Sequence, residues 1–114
     1  MTYETYKEKI DLFPPQVRRA LRSVGANISV ARRRRRITVR MMAERVGVSA
    51  MTYLKVERGD PGVAFGTYVM TLFALGLGTP WAQLVDAGQD ETGLLLDLER
   101  VPKRARPRTE PPAR

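Results

Sequence analysis

The chain contains neither cysteine nor histidine. A disulfide scaffold and the usual zinc fingers are therefore excluded, and any metal chemistry would rest on carboxylates alone. The same absence removes the commonest nucleophile and general base. Ser23, Ser29 and Ser49 stand where helices and their caps are expected, so no catalytic constellation forms and no enzyme is expected. Asp90, Glu91, Asp97 and Glu99 are close in sequence, yet nothing fixes them around a pocket, and the regular oxygen spacing of a calcium loop is missing. The expectation is no cofactor and no metal. No apolar run approaches the roughly 20 residues that cross a bilayer, and residues 1–9 are polar rather than a basic leader before an apolar stretch. Lack of thiols is compatible with a reducing compartment, and the chain is read as cytoplasmic.

Positive charge is missing too, but only locally. Between Gly59 and Glu99 there are six acidic residues and no lysine or arginine, whereas residues 18–58 hold twelve lysines and arginines against two glutamates. Residues 100–114 are basic again, and the formal total is +8. A surface shaped only by solubility mixes its signs. Segregation of this kind predicts one face that meets a polyanion and another with a different task, such as pairing with a second subunit. The plain alternative is a solvated basic face. At 114 residues the chain is one domain, or one small domain with tails, and its core is modest.

Pro14 and Pro15 suit the first turn of a helix. Val17, Ala20, Leu21 and Val24 then give it a narrow apolar stripe, ending near Gly25. Ile28, Val30 and Ala31 open a second helix that runs into Arg32–Arg36, where five consecutive arginines cannot all face one way. A short helix over residues 38–46 follows, capped by Thr38, with Met42, Ala43 and Val46 on its inner face. Gly47 falls where a left-handed turn is expected. Ser49 caps the next helix, residues 50–58, whose buried positions are Tyr53 and Val56. After the turn formers of residues 59–62, Tyr68, Val69, Leu72, Phe73 and Leu75 make another helix ended by Gly76 or Gly78. Thr79 caps a last short helix carrying Pro80, Trp81, Leu84 and Val85. The expected class is all-α, divided into an N-terminal extension with a short helix (1–23), a compact domain (24–87) and a C-terminal tail (88–114).

The two short helices about Gly47 have the dimensions of a helix-turn-helix, whose second helix enters the major groove. TVRMMAERVGVSAMTYLKVERGD, residues 38–60, resembles the DNA-binding unit of the Xre-type, lambda and 434 repressor-like regulators. Thr38, Ala43, Gly47, Ser49 and the closing Glu57-Arg58-Gly59 occupy that family's places for cap, inner alanine, turn, second cap and terminator. The resemblance implies a five-helix lambda repressor-like domain whose base-reading positions are Ala50, Met51 and Lys55. Thr52 and Leu54 then lie near the backbone. Many relatives carry glutamines at the two leading places, which can pair with adenine; alanine and methionine offer only apolar contact, for instance to a thymine methyl. Fewer direct base bonds and more dependence on phosphates and DNA shape are expected. Alternatively, Met51 packs on its own domain.

Val39 replaces a residue that is commonly glutamine. Arg33, Arg35, Arg36, Arg40 and Arg45, with Ser49 and Thr52, are the candidate backbone contacts. Arg32 differs: in relatives the matching arginine pairs with the glutamate closing the recognition helix, so Arg32 with Glu57 is expected as an internal ion pair.

The resemblance also implies a homodimer on a palindromic operator. The stretch lacking positive charge is the candidate pairing surface, especially Phe65, Trp81, Leu84, Val85 and residues 93–96, with Trp81 equally readable as core. Residues 90–108, DETGLLLDLERVPKRARPR, are similar to the ends of HipB-like antitoxins paired with HipA-like serine/threonine kinase toxins. On that reading Leu94, Leu95, Leu96 and Leu98, with Lys103 and Arg104, bind the partner; on composition alone the proline-rich end is disordered. The expected function is a sequence-specific repressor, the antitoxin of a toxin–antitoxin operon that it autoregulates while neutralising the kinase. The alternatives are a stand-alone or phage-type regulator and a weakly specific architectural DNA binder.

Overall fold

Pro14 and Pro15 do start a helix, and it is the longest among the described residues. The computed structural model describes residues 3–99, in a first unit running to Trp81 and a second from Ala82 onward. All regular structure among the described residues is helical, and none of these helices is long and apolar enough to cross a membrane.

In the first unit α1 (Tyr3–Asp11) precedes α2 (Pro15–Arg34), a single helix of 20 residues. Two helices separated near Gly25 were expected, and the boundary expected between residues 23 and 24 also lies inside α2. Gly25 is not a stop. A Cβ there would sit 2.5 Å from the Glu57 carbonyl oxygen and 2.6 Å from the Gly59 nitrogen, so its missing side chain lets α2 cross backbone-to-backbone over the end of the helix that Glu57 closes. Gly59 completes the approach with a left-handed φ of 71°, a conformation glycine adopts without strain. The packed face of α2 follows from this crossing: Arg18, Leu21, Gly25, Ile28 and Arg32, spaced three and four apart, are covered, and Ser29, Val30 and Ala31 are half-buried beside them. Val17 and Val24 of the expected stripe are instead 40% and 42% exposed.

The next two helices match their sequence signals closely. α3 (Val39–Val46) is capped by Thr38, whose side-chain oxygen accepts the Met41 N–H at 3.1 Å, and it ends at Gly47 with φ 87°. α4 (Ala50–Glu57) is capped in the same way by Ser49, which accepts the Thr52 N–H at 3.1 Å. Each such cap is worth about 1 kcal/mol. α5 (Phe65–Ala74) follows, and the Tyr68 hydroxyl donates to the Asp60 carbonyl at 2.8 Å, tying α5 to the turn after α4. α3 packs on α4 and α5, and α2 packs on α4. Their shared core is Ile28, Ile37, Met42, Ala43, Val46, Tyr53, Val56, Tyr68 and Leu75. Met42, Tyr53 and Val56 are fully buried, and burial at this level stabilises by about 1.5–3 kcal/mol for each large apolar side chain.

The last short helix expected around Trp81 is only a 3-10 turn, Pro80–Gln83, and Leu84 and Val85 lie outside it, 71% and 86% exposed. The second unit contains a 3-10 turn, Ala87–Gln89, and α6 (Glu91–Asp97), capped by Asp90, whose carboxylate accepts the Gly93 N–H at 3.1 Å.

Candidate nucleic-acid interface

One cluster of polar side chains ties the end of α4 to α2 and to the turn before α3. The Arg32 guanidinium reaches from α2 to Glu57 at the end of α4, with Nε 2.6 Å from Oε2 and Nη2 3.3 Å from Oε1, and its Nη1 donates to the Ile37 carbonyl at 2.9 Å. Tyr53, one turn before Glu57, donates its hydroxyl to the same carboxylate. The Arg32 and Glu57 side chains are 12% and 10% exposed. Burial on its own would raise the Glu57 carboxyl, but hydrogen bonds from Arg32 and Tyr53 outweigh it and hold Glu57 below the ordinary carboxylate value. The hydrogen bond to Glu57 raises Arg32 in turn, while burial, and next the bond to Glu57, push the Tyr53 phenol well above its usual value. Two helices therefore converge on one carboxylate, α2 through Arg32 and α4 through Tyr53, and Arg32 holds the α2–α3 turn as well through the Ile37 carbonyl.

Arg32 is the inward member of the arginine run; Arg33, Arg34, Arg35 and Arg36 are all exposed. Arg35 donates to the Ala31 carbonyl at 2.9 Å and Arg33 to the Ser29 hydroxyl at 3.3 Å, which leaves most of their N–H groups to solvent. Arg36 takes a left-handed φ of 56°, unusual for a residue with a side chain. It closes the end of α2, where the Ile37 N–H bonds back to the Arg32 carbonyl at 3.3 Å. Arg40 and Arg45 are exposed on α3. Arg34 escaped the sequence reading because no spacing separates it from its neighbours in an unbroken run.

At the leading end of α4, Ala50 is exposed and Met51 is 69% exposed. Met51 therefore does not pack into its own unit. Lys55 and Thr52 are half-buried and Leu54 is 40% exposed. The Ser49 hydroxyl lies 3.1 Å from the Thr52 hydroxyl as well as capping the helix. Val39 packs against the core, so it presents no polar group at the start of α3. No family model, curated protein or solved structure matches the chain.

The remaining candidates are dispersed. In the first unit the outer side of α5 carries Phe65, Met70 and Phe73, which are 59%, 43% and 61% exposed. The Phe65 ring meets Trp81 edge-to-face with centroids 6.0 Å apart. Trp81 is half-buried and its indole N–H is covered without a hydrogen-bond partner among the described residues, a position between core and surface. In the second unit Leu94, Leu95, Leu96 and Leu98 are exposed by 48%, 67%, 51% and 81%. Lys103 and Arg104 lie outside the described residues.

Proposed function

We propose that the first unit is a lambda repressor-like, Xre-type DNA-binding domain that acts as a sequence-reading transcriptional repressor. The observation that carries this reading is a tied helix pair with an uncovered leading end, in a unit whose exposed cations stand on the same and the preceding helix. Arg32, Tyr53 and Glu57 tie α4 to α2. Ala50 and Met51 are exposed at the start of α4, with Lys55 half-buried in its last turn, and Arg33, Arg35, Arg36, Arg40 and Arg45 are exposed cations on the end of α2, the turn after it and α3. In such an arrangement α4 enters the major groove while α3 and the end of α2 lie along the phosphates. The five helices of that fold would be the second half of α2, then α3, α4, α5 and the turn at Pro80–Gln83, the last reduced to one 3-10 turn. Dimerisation through the uncharged outer side of α5 would place two recognition helices on a palindrome with half-sites about 34 Å apart.

The mode of reading follows from side-chain chemistry. Ala50 and Met51 have no donor or acceptor for a base edge beyond a weakly accepting thioether, so direct hydrogen-bond readout falls to Lys55 alone. The rest of the preference comes from phosphates and DNA shape. This also favours, as second reading, a weakly specific architectural binder. The exposed leucines of α6 support a further part of the proposal, an antitoxin that holds a kinase partner through residues 90–114. Co-purification of the neighbouring gene product by the full chain but not by a chain ending at residue 89 would support it; equal recovery by both would remove it.

The deciding experiment is binding to the DNA upstream of the protein's own gene against a scrambled duplex of equal length, at two salt concentrations. Phosphate attraction weakens on both as salt rises, with a logarithmic slope of about −0.9 per contacted phosphate. A specific complex keeps a preference of ~10³-fold or more. Equal affinity for the two duplexes at both salts would leave the architectural reading in its place.

A further inference from the structure

The N-terminal half of α2 carries a second group of arginines, at the opposite end of the helix from those used above. Arg18 and Arg22 are one turn apart, and Arg58 reaches the same place because α2 and the end of α4 touch at Gly25 and Gly59. With Ile10 of α1 and Pro61 they line a cleft of about 300 Å³ whose floor includes Gly59. This volume is at the lower end of the range for small-molecule sites.

The cations in this cleft are poorly neutralised. The contact between Arg18 and Asp11 is 3.7 Å, too long for a hydrogen bond, and the buried Arg18 Nε has no hydrogen-bond partner among the described residues. Among the described residues no ion pair or hydrogen bond holds the side chain of Arg22 or Arg58. Asp60 also borders the cleft, but its carboxylate accepts the Gly62 N–H at 2.7 Å within its own turn. A desolvated N–H and two guanidiniums that, among the described residues, no carboxylate pairs with form an arrangement that an anion completes.

We propose that this cleft is a binding site for a small-molecule oxyanion, a phosphate or carboxylate gripped by Arg18, Arg22 and Arg58, with an apolar portion resting on Ile10 and Pro61. Arginine suits the task because its planar fork matches both oxyanions. The site is separate from the DNA-facing end: Arg18 and Arg33 are fifteen residues apart on one helix, roughly 22 Å along its axis. Arg58 closes α4 while Ala50 and Met51 open it. The assignment does not rest on DNA binding.

The test is a titration of the ¹⁵N-labelled full chain with pyrophosphate at constant ionic strength, followed by amide and arginine Nε resonances. Saturable shifts are expected at residues 58–60, 18 and 22, with a midpoint at least tenfold lower than any response at residues 33–36. Arg22→Gln and Arg58→Gln, both at exposed positions, should each weaken the midpoint fivefold or more without changing the melting temperature. Unsaturated shifts of equal size at both groups of arginines, or an unchanged midpoint in the two variants, would overturn the site. Repeating the titration with the upstream duplex at saturation separates a small molecule from DNA as the source of the oxyanion. Persistence of the response at residues 58–60 supports the proposal, and its loss assigns these arginines to the DNA backbone and overturns it. A chain that fails to bind the duplex leaves the first titration standing on its own.

Discussion

Glu57→Ala should remove a large part of the protein's stability. The carboxylate receives Arg32 through two nitrogens and the Tyr53 hydroxyl, and both partners of the ion pair are nearly covered. Removing one member of a buried pair costs roughly 3–5 kcal/mol, because the other charge stays desolvated without its counterion. Here the pair keeps a little solvent access, which favours the lower figure of about 3 kcal/mol, and the stranded Tyr53 hydroxyl adds about 1 kcal/mol. For a unit of this size each kcal/mol moves the melting midpoint by about 4–8 °C, so the expected fall is roughly 15–30 °C. Thermal and urea melts followed by far-ultraviolet circular dichroism measure it. The double variant Arg32→Met, Glu57→Leu should recover most of the loss, since apolar replacement of a whole buried pair is often neutral. Dependence on pH supplies a second reading of the same group. Glu57 is held below its ordinary value of 4.5, so its contribution is complete above that pH and is lost as pH falls through the lower folded value. The gap in midpoint between wild type and Glu57→Gln should therefore close below pH 4.5. A Glu57→Ala midpoint within about 3 °C of wild type, under 1 kcal/mol, would refute the reasoning.

The two glycines of contrasting role give a paired expectation in urea melts. Gly25→Ala should cost about 3 kcal/mol or more, because its Cβ would collide with backbone that cannot move aside. Gly47→Ala should cost only about 1 kcal/mol, the strain of a left-handed residue with no neighbour near its new methyl. A smaller loss at Gly25 than at Gly47 would contradict the close crossing. Tyr53 is raised above its ordinary value of 10, so its contribution holds below pH 10 and is lost as pH rises. The phenolate absorbance of wild type minus that of Tyr53→Phe should thus appear only as the helical signal disappears. If the proposed dimer uses the outer side of α5, Phe73→Glu should shift sedimentation to the monomer with the melting midpoint of the isolated unit unchanged; an unaltered sedimentation coefficient would exclude that face.

Local signals were the legible ones. Thr38, Gly47 and Ser49 each act through hydrogen bonds or a backbone angle within three or four residues, so their identity and spacing disclosed α3, α4 and the turn between them. The inner positions Met42, Ala43, Val46, Tyr53 and Val56 followed from helical periodicity. Gly25 was misread because the sequence shows only that a side chain is missing. Whether that lack ends a helix or admits a neighbouring backbone depends on residues 57–59, more than thirty positions away. The consequence spread: with the helix broken at residue 25, Val17 and Val24 looked like the inner face, and Arg18 and Arg22 had no reason to lie beside Arg58. Phe73 was equally opaque, since an apolar residue on α5 reads the same whether it faces the core or, as here, solvent. The Arg32–Glu57 pair came from family resemblance, and neither residue's spacing would have disclosed it.

Because α2 is continuous, it transmits phase. An α-helix turns about 100° per residue, so adding or deleting one residue between Leu21 and Ile28 would swing everything upstream about a quarter of the way around the axis. It would also leave Ile28 and Arg32 where they are. Leu21 and Arg18 would then leave the side that α4 occupies, and Arg22 would part from Arg58. Only changes of about seven residues, two turns, restore the facing. Length variation among natural versions of this protein should accordingly be tolerated in the turns at residues 35–38 and 60–64 before it is tolerated inside α2, and a shortened chain beginning at residue 24 would lack not an appendage but the first half of a strut.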